Sequence, residues 1–230
     1  MPQHIGIAAC SAEGASLCYR TICTEGPAML GGHAHPEITM HTHSLQEYTE
    51  CLGRGDMQGV ADLMLASAEK LAAAGADFLI CPDNTIHQAF DRVEPRSPLP
   101  WLHIADVVAH MAVSRGCRSL ALTGTRWLVE SDVYPDKLRG QGLRCVTPDA
   151  DERGRIDHII MDELVRGITK PESTTYILKV IERLGDQGCD AVILGCTELP
   201  IVVDDRNSPL PTLDSTRLLA RAALRRAVSD

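Results

Sequence analysis

Two short segments of this chain carry side chains suited to moving protons. The segment PDNTIH, residues 82–87, and the segment GCTELP, residues 195–200, each follow an apolar run of strand length. Ligands of parallel α/β folds bind beyond the carboxyl ends of strands, where the next helix offers N–H groups without helical partners. We therefore predict that Asp83 and Cys196 face one substrate from opposite sides. A facing acid and base is what moving a proton between the two faces of a carbon requires.

The elements that must position these segments alternate along the chain. Apolar runs bounded by Gly, Pro or Asp predict strands at residues 5–9, 37–42, 78–81, 101–103, 119–122, 143–146, 191–194 and 210–213. Apolar residues at helical spacing predict helices at residues 57–74, 104–114, 151–166, 172–187 and 215–228. Alternation of this kind is typical of βα units and of a mostly parallel sheet.

The two halves of the chain resemble each other at offsets close to 113 residues. Matching pairs are residues 75–85 with 188–198, 4–10 with 119–125, and 99–103 with 210–214. Any two βα units share some features, but a nearly constant offset favours duplication. We predict two pseudo-symmetric α/β lobes, each a mostly parallel sheet flanked by helices, with the active site in the cleft between them. The predicted N-terminal lobe is residues 1–104 plus 215–230, and the C-terminal lobe is residues 105–214.

Four motifs together are similar to those of the aspartate/glutamate racemase family. They are GCTELP at 195–200, NTIH at 84–87, GGH at 31–33 and PTLDST at 211–216. The resemblance extends from Ile5 to the last helix, and its most specific part is GCTE at the end of an AVIL strand. It implies a cofactor-independent racemase of a small acidic amino acid, usually a homodimer, in which one residue from each lobe removes and returns the α-proton. On this resemblance, Cys196 takes the second catalytic position.

The first catalytic position departs from the family pattern. Many relatives have Cys directly before Asn-Thr, whereas this chain has Asp83 there and a Cys two residues earlier, Cys81. We predict that Cys81 is buried and only packs against its neighbours. An Asp side chain in water has a pKa of about 3.9 and a Cys side chain one of about 8.5, so the two make an unequal pair unless burial raises the pKa of the carboxyl. Asp83 could also simply cap the following helix.

This asymmetry leaves three functions open. The first is two-sided α-proton transfer by Asp83 and Cys196, which is racemisation or epimerisation of aspartate or glutamate. The second is a one-sided Cys-dependent isomerase or decarboxylase of a related dicarboxylate. The third is a catalytically silent protein that binds a dicarboxylate.

The substrate carboxylates need receptors. As the matching family positions imply, Asn84, Thr85 and Thr197 could hold the α-carboxylate, and they also have N-cap chemistry. Arg20, Arg126 and Lys170 are candidates for a distal carboxylate. The predicted substrate-binding residues are Ser11, Asn84, Thr85, Arg126, Lys170, Thr197 and Glu198. His87 is predicted to be a structural residue near the motif rather than a base.

Two His-x-His pairs suggest a rival class. His33 and His35 form one pair, and His41 and His43 form the other, eight residues further on. Alternate strand residues share a face, so His41 and His43 could both bind a metal, as in a metal-dependent hydrolase. Carboxylate ligands at a recognisable spacing are absent from the sequence, and we predict no metal and no cofactor.

Composition excludes other partners. Aromatic residues make up only 3% of the chain and its formal net charge is −9, which argues against nucleic acid. Nine cysteines without a pairing pattern indicate a reducing compartment. With no signal-like start and no long apolar run, we predict a cytoplasmic protein that does not contact a membrane.

Overall fold

A computed structural model describes residues 1–229 of the chain. The strands are β1 (Ile5–Ala9), β2 (Ile38–Thr42), β3 (Phe78–Ile80), β4 (Trp101–Leu102), β5 (Ser119–Thr123), β6 (Arg144–Val146), β7 (Ala191–Leu194) and β8 (Thr212–Asp214). The helices are α1 (Ala12–Leu30), α2 (Leu45–Gly53), α3 (Met57–Ala73), α4 (Phe90–Val93), α5 (Ile104–Ser114), α6 (Arg126–Val129), α7 (Val133–Gly140), α8 (Ala150–Asp162), α9 (Pro171–Asp186) and α10 (Ser215–Val228). Single 3-10 turns lie at Thr85–Ala89, Glu94–Arg96, Leu164–Arg166 and Leu199–Ile201.

The strands form two separate four-stranded sheets with parallel pairing throughout. Their orders are β2-β1-β3-β4 and β6-β5-β7-β8, so the chain passes through both sheets in the same order. The central strands β1, β5 and β7 are buried along their whole length, as expected for parallel strands covered by helices on both faces. The predicted fold class of two mostly parallel α/β sheets flanked by helices is confirmed.

Each sheet belongs to its own compact unit. One unit comprises Met1–Val107 and the chain from Thr216 onward, and the other comprises Val108–Ser215. In the first unit, β1 packs with α1 and α10 in a core that includes Ile5, Ile7, Cys18, Ile22, Leu219 and Leu224. In the second unit, β7 packs with α8 and α9 in a core that includes Ile156, Ile160, Ile177, Ile181, Val192 and Cys196.

The eight predicted strands are present, each within two residues of its predicted ends. The helices α1, α2, α4, α6 and α7 are not predicted by the periodicity. The α1 segment contains Gly14, Gly26 and Pro27, and a proline inside a helix is unfavourable because it removes a backbone donor. Ser11 starts this helix, since its Oγ accepts a hydrogen bond from the Gly14 N–H at 3.2 Å.

The strongest part of the internal repeat has a structural cause in each unit. Gly75 and Gly188 have φ values of +89° and +88°, a conformation that favours glycine and that ends α3 and α9. Two residues later, Asp77 Oδ2 accepts the His4 N–H at 2.7 Å. In the second unit, Asp190 Oδ2 accepts the N–H groups of Arg118 and Ser119 at 2.6 and 2.9 Å. In both units the Asp carboxylate thus ties the start of the third strand to the first.

We expect Asp190→Asn to lower the free energy of unfolding by about 1 kcal/mol at neutral pH, because it removes charge-assisted hydrogen bonds. These backbone bonds hold the pKa of Asp190 below its ordinary value. The stabilisation is therefore complete above the unfolded pKa of about 3.9 and is lost as the pH falls through the lower folded pKa. Urea unfolding at pH 7 and near pH 3 measures the difference. The control is Asp186→Asn, an exposed residue, and an equal loss in both variants would contradict this role of Asp190.

Candidate active site

The two predicted segments follow the third strand in their respective units. In the first sheet, β2 lies on one side of β1 and β3 on the other, so the order of connections reverses between β1 and β3. The same reversal occurs between β5 and β7 in the second sheet. Ligands of open parallel sheets bind at this switch point, beyond the carboxyl ends of the strands. Asp83 follows β3 and Cys196 follows β7, so each unit places its proposed catalytic residue at its own switch point.

A glycine fixes the approach to Cys196. The Gly195 N–H donates to the Thr123 carbonyl at 2.8 Å, extending the pairing between β7 and β5 by one residue. A Cβ at Gly195 would lie 2.7 Å from that carbonyl oxygen and 2.6 Å from Leu128 Cδ2. Only glycine therefore fits without movement of the backbone, which explains the Gly of the GCTE motif. The Ser215 hydroxyl also donates to the Leu194 carbonyl at 2.8 Å and anchors the end of β7.

The Cys196 thiol has a carboxylate acceptor. Cys196 Sγ donates to Glu198 Oε2 at 2.9 Å, and Thr197 Oγ1 donates to the same oxygen at 2.8 Å. All three residues are buried, with 8%, 4% and 5% of their surface exposed. Glu198 Oε2 therefore accepts two hydrogen bonds, one of them from the thiol. Glu198 was predicted only as a substrate contact, and the signal for this second role is an acidic residue two positions after the cysteine.

Asp83 occupies a different environment in the first unit. Its side chain is partly exposed, and Oδ1 accepts the Ile86 N–H at 3.1 Å. Asn84 stands at the N-cap position of the following 3-10 turn but makes no side-chain cap bond there. The Asp83 carboxylate makes the capping bond instead, from one residue earlier. The prediction that Asp83 could cap the next helical turn is confirmed.

Cys81 directly follows β3 and is buried. Its side chain is fully buried, and burial raises the pKa of the thiol well above its ordinary value, with a further increase from Asp83. Its thiol lies 4.0 Å from the Asp83 carbonyl, at the limit of a sulfur hydrogen bond. A buried thiol that keeps its proton is a packing group, as predicted for Cys81.

Lys170 is the predicted cation with the most defined surroundings. It stands directly before α9, and its Nζ donates to Glu163 Oε1 at 3.0 Å. The other Glu163 oxygen accepts from Ser173 Oγ at 2.7 Å. These two bonds lower the pKa of Glu163. Leu164, beside Glu163, packs in the same core as Cys196.

The other predicted substrate contacts are placed as follows. Ser11 and Thr197 are buried, and their hydroxyls bond within their own segments. Asn84 is also buried, and Thr85 is partly exposed. Arg126 begins α6, where its backbone N–H donates to Asp157 Oδ1 at 2.7 Å and its side chain is exposed, as is that of Arg20 on α1. Thr123 pairs with Leu194 in the sheet, so the segments of Arg126 and Cys196 begin side by side.

The histidine pairs are not arranged as a metal site. His33 and His35 are exposed. His41 lies 2.9 Å from Ser67 Oγ through Nδ1 and 2.8 Å from Lys70 Nζ through Nε2. Because the ammonium group donates, Nε2 accepts and Nδ1 donates to Ser67, so both ring nitrogens are engaged by the protein. Across residues 1–229, no three His, Cys, Asp or Glu side chains are grouped so that they could hold a metal ion.

No helix among those described is both long and apolar enough to cross a membrane.

Comparison with known proteins identifies the family of this chain. The family model for Asp/Glu/Hydantoin racemase matches residues 7–223. A curated relative, the broad specificity amino-acid racemase RacX of Bacillus subtilis, is 24% identical over 164 residues, which are 70% of this chain and 69% of RacX.

Solved structures extend the similarity to the whole chain. A protein from Yersinia pestis, provisionally assigned as an Asp/Glu racemase, has a TM-score of 0.91 and 32% identity over 99% of this chain and 100% of its own. An aspartate racemase homologue from Pyrococcus horikoshii has a TM-score of 0.86 and 27% identity, again over 99% and 100% of the two chains.

Proposed function

Because the chain belongs to the Asp/Glu/Hydantoin racemase family, we propose that it racemises aspartate or glutamate without a cofactor, with Asp83 and Cys196 as its acid/base pair. The family and the isomerase class predicted from sequence are confirmed by the family model and by a curated amino-acid racemase relative. The observation that carries the choice of catalytic group is the 2.9 Å hydrogen bond from the buried Cys196 thiol to Glu198.

On the Cys196 side, Glu198 prepares the base. The thiol proton moves to the Glu198 carboxylate, and the resulting thiolate removes the α-proton of the substrate. The S–H bond that forms replaces the C–H bond that breaks, and the electron pair remains on the α-carbon. A thiolate is the reactive form of cysteine, and a proton acceptor at hydrogen-bond distance gives the thiol proton a place to go during the reaction.

On the other side, Asp83 completes the exchange. In one direction the protonated Asp83 carboxyl donates its proton to the opposite face of the α-carbon, and the enantiomer forms. In the reverse direction the Asp83 carboxylate removes that proton and the Cys196 thiol donates. The bond from the Ile86 N–H to Asp83 Oδ1 orients the carboxyl for this transfer. Asp83 and Cys196 would thus serve the two faces of one carbon.

The loops that follow the strands also supply most of the proposed substrate contacts. Asn84, Thr85 and the backbone N–H of Thr197 hold the α-carboxylate, since the Thr197 hydroxyl already donates to Glu198. Ser11 and Arg126 lie in the segments that follow β1 and β5. Lys170 holds the distal carboxylate, since an ammonium group has three donors and 46% of its side chain is exposed while it bonds Glu163. Glu198 accepts the thiol proton of Cys196 and so acts on the substrate through Cys196.

The hydrogen bond from the Ile86 N–H to the Asp83 carboxylate favours a second candidate function. If Asp83 acts only as a cap, Cys196 with Glu198 remains a complete one-sided acid/base system. The enzyme would then be a Cys-dependent isomerase or decarboxylase of a related dicarboxylate.

We also propose a homodimer in the cytoplasm. The dimer rests on the family resemblance, and the location rests on nine cysteines without a pairing pattern in the sequence.

The test is α-proton exchange in deuterated water. L- and D-aspartate and L- and D-glutamate are incubated separately with the enzyme, and proton NMR and chiral chromatography follow the α-position. We expect solvent deuterium at the α-carbon and formation of the opposite enantiomer from both enantiomers of at least one acid. Turnover should survive dialysis against a chelator.

Other outcomes identify the alternatives. Exchange without inversion, or conversion in one direction only, would favour the one-sided enzyme. Absence of exchange together with calorimetric binding of a dicarboxylate would identify a binding protein. Metal-dependent turnover would instead favour a hydrolase.

A further inference from the structure

His87 makes a direct contact with the backbone of Asp83. Its Nδ1 lies 2.6 Å from the Asp83 carbonyl oxygen, and its Nε2 lies 3.5 Å from the Ile104 amide nitrogen. The side chain is buried, with 3% of the residue exposed. The imidazole therefore joins the segment after β3 to the start of α5.

These two partners determine which ring nitrogen of His87 carries the proton. A carbonyl oxygen only accepts, so Nδ1 carries the proton and donates to Asp83. An amide N–H only donates, so Nε2 is unprotonated and accepts from Ile104. Because both ring nitrogens bond the backbone, His87 is poorly placed to act as a base, and its geometry is that of a brace between two loops.

Neighbouring rings hold this brace in one orientation. The Phe90 ring stacks on His87 with a centroid distance of 5.4 Å and an interplanar angle of 13°. The His103 ring meets its edge at 4.6 Å, and His103 Nδ1 itself accepts the Ala105 N–H at 3.2 Å. Packing on the face and the edge leaves the imidazole little freedom to turn, so the position of the Asp83 carbonyl is determined by a rigid group.

We propose that His87 is a positioning residue that sets the orientation of Asp83 and therefore governs proton transfer on only one face of the substrate. This inference rests on the proposed function, in which Asp83 serves one face and Cys196 the other. Asp83 is held at two points, by His87 at its carbonyl and by the Ile86 N–H at Oδ1. Loss of the first point lets the residue rotate, whereas Cys196 in the second unit keeps its own partners.

The experiment measures each face separately. The probes are 3-chloro-L-aspartate and 3-chloro-D-aspartate. Removal of the α-proton leaves an electron pair on the α-carbon, this pair forms the Cα–Cβ double bond, and chloride leaves with the electrons of the C–Cl bond. Chloride release therefore reports deprotonation by the base on one face, without any need for the second base. The enantiomer whose chloride release is lost in Asp83→Asn is the one that Asp83 deprotonates.

The informative variants are His87→Phe and His87→Asn. Phenylalanine keeps the stacked ring but removes the donor, so we expect release from the Asp83-dependent enantiomer to fall about 10- to 100-fold, as for misplacement of a catalytic group by about 1 Å. Release from the other enantiomer should change less than about threefold, because its base lies in the other unit. Asparagine places an amide N–H near the position of Nδ1, so His87→Asn should restore most of the lost rate.

A buried variant elsewhere in the same unit provides the control. Thr21 lies in α1, and its hydroxyl donates to the Leu17 carbonyl at 2.7 Å. Thr21→Val should leave chloride release from both enantiomers unchanged. Equal loss for both enantiomers in His87→Phe would show a general structural role and overturn the proposal, as would no loss for either. Wild-type enzyme that releases chloride from neither enantiomer, or from one only, would instead refute the two-sided function on which the proposal rests.

Discussion

Replacing Cys196 with alanine is expected to reduce the interconversion of the two enantiomers by about 10³-fold in both directions, because each turnover needs the thiol once as a base or as an acid. The cost to folding should be small, since only the sulfur atom and its proton are removed and Glu198 keeps its hydrogen bond from Thr197. Chiral chromatography of aspartate or glutamate after timed incubation measures the loss. Cys145→Ala is the control, because Cys145 lies on the edge strand β6 and not at the switch point. A Cys196→Ala enzyme with more than about a tenth of wild-type activity would contradict the assignment.

The companion variant Glu198→Gln tests how the thiol is activated. The amide keeps the size of the side chain but cannot take the proton that the carboxylate accepts at 2.9 Å. We expect a loss intermediate between wild type and Cys196→Ala, with the remaining activity increasing toward higher pH as the thiol ionises without help. A pH profile identical to that of wild type would show that Glu198 only supports the fold.

Replacing Asp83 with asparagine is expected to reduce racemisation about 10²-fold or more while leaving the loop intact. The Asn carbonyl oxygen can still accept the Ile86 N–H that Asp83 Oδ1 accepts at 3.1 Å, so the cap survives and only the proton-transfer group is lost. Deprotonation of the enantiomer that faces Cys196 should persist, and exchange in deuterated water without inversion would reveal it. This separation of exchange from inversion is the signature of a two-base site that has lost one base.

Asp91→Asn is the matched control for charge. Asp91 is exposed on α4, eight positions after Asp83 in the chain, and its replacement should leave turnover unchanged. Unchanged two-way turnover in Asp83→Asn would remove Asp83 from the mechanism. Cys81→Ala would then decide whether that buried thiol takes part after all.

The two switch-point loops could be located from the sequence because their strands are short, apolar and bounded by Gly or Pro. The internal repeat could be recognised from the sequence because Gly75 and Asp77 recur as Gly188 and Asp190 at the same offset. The structure explains the recurrence, since both glycines adopt the left-handed conformation and both Asp carboxylates bond the backbone at the start of the first strand of their unit. Helix α1 escaped prediction, because its glycines and its proline obscure the apolar spacing, while tertiary packing of Cys18 and Ile22 holds it in place.

The amino-acid sequence by itself determined the architecture, the family and the candidate loops of this protein, because these follow from local periodicity and from motifs contiguous in the chain. Only the tertiary structure decided which atoms meet: that Glu198 accepts the Cys196 thiol, that Asp83 rather than Asn84 caps its turn, and that His87 braces the Asp83 carbonyl against Ile104. Such contacts depend on distances of about 3 Å and on side-chain rotamers. Residue types and spacing leave both undetermined until the sheets and helices have packed.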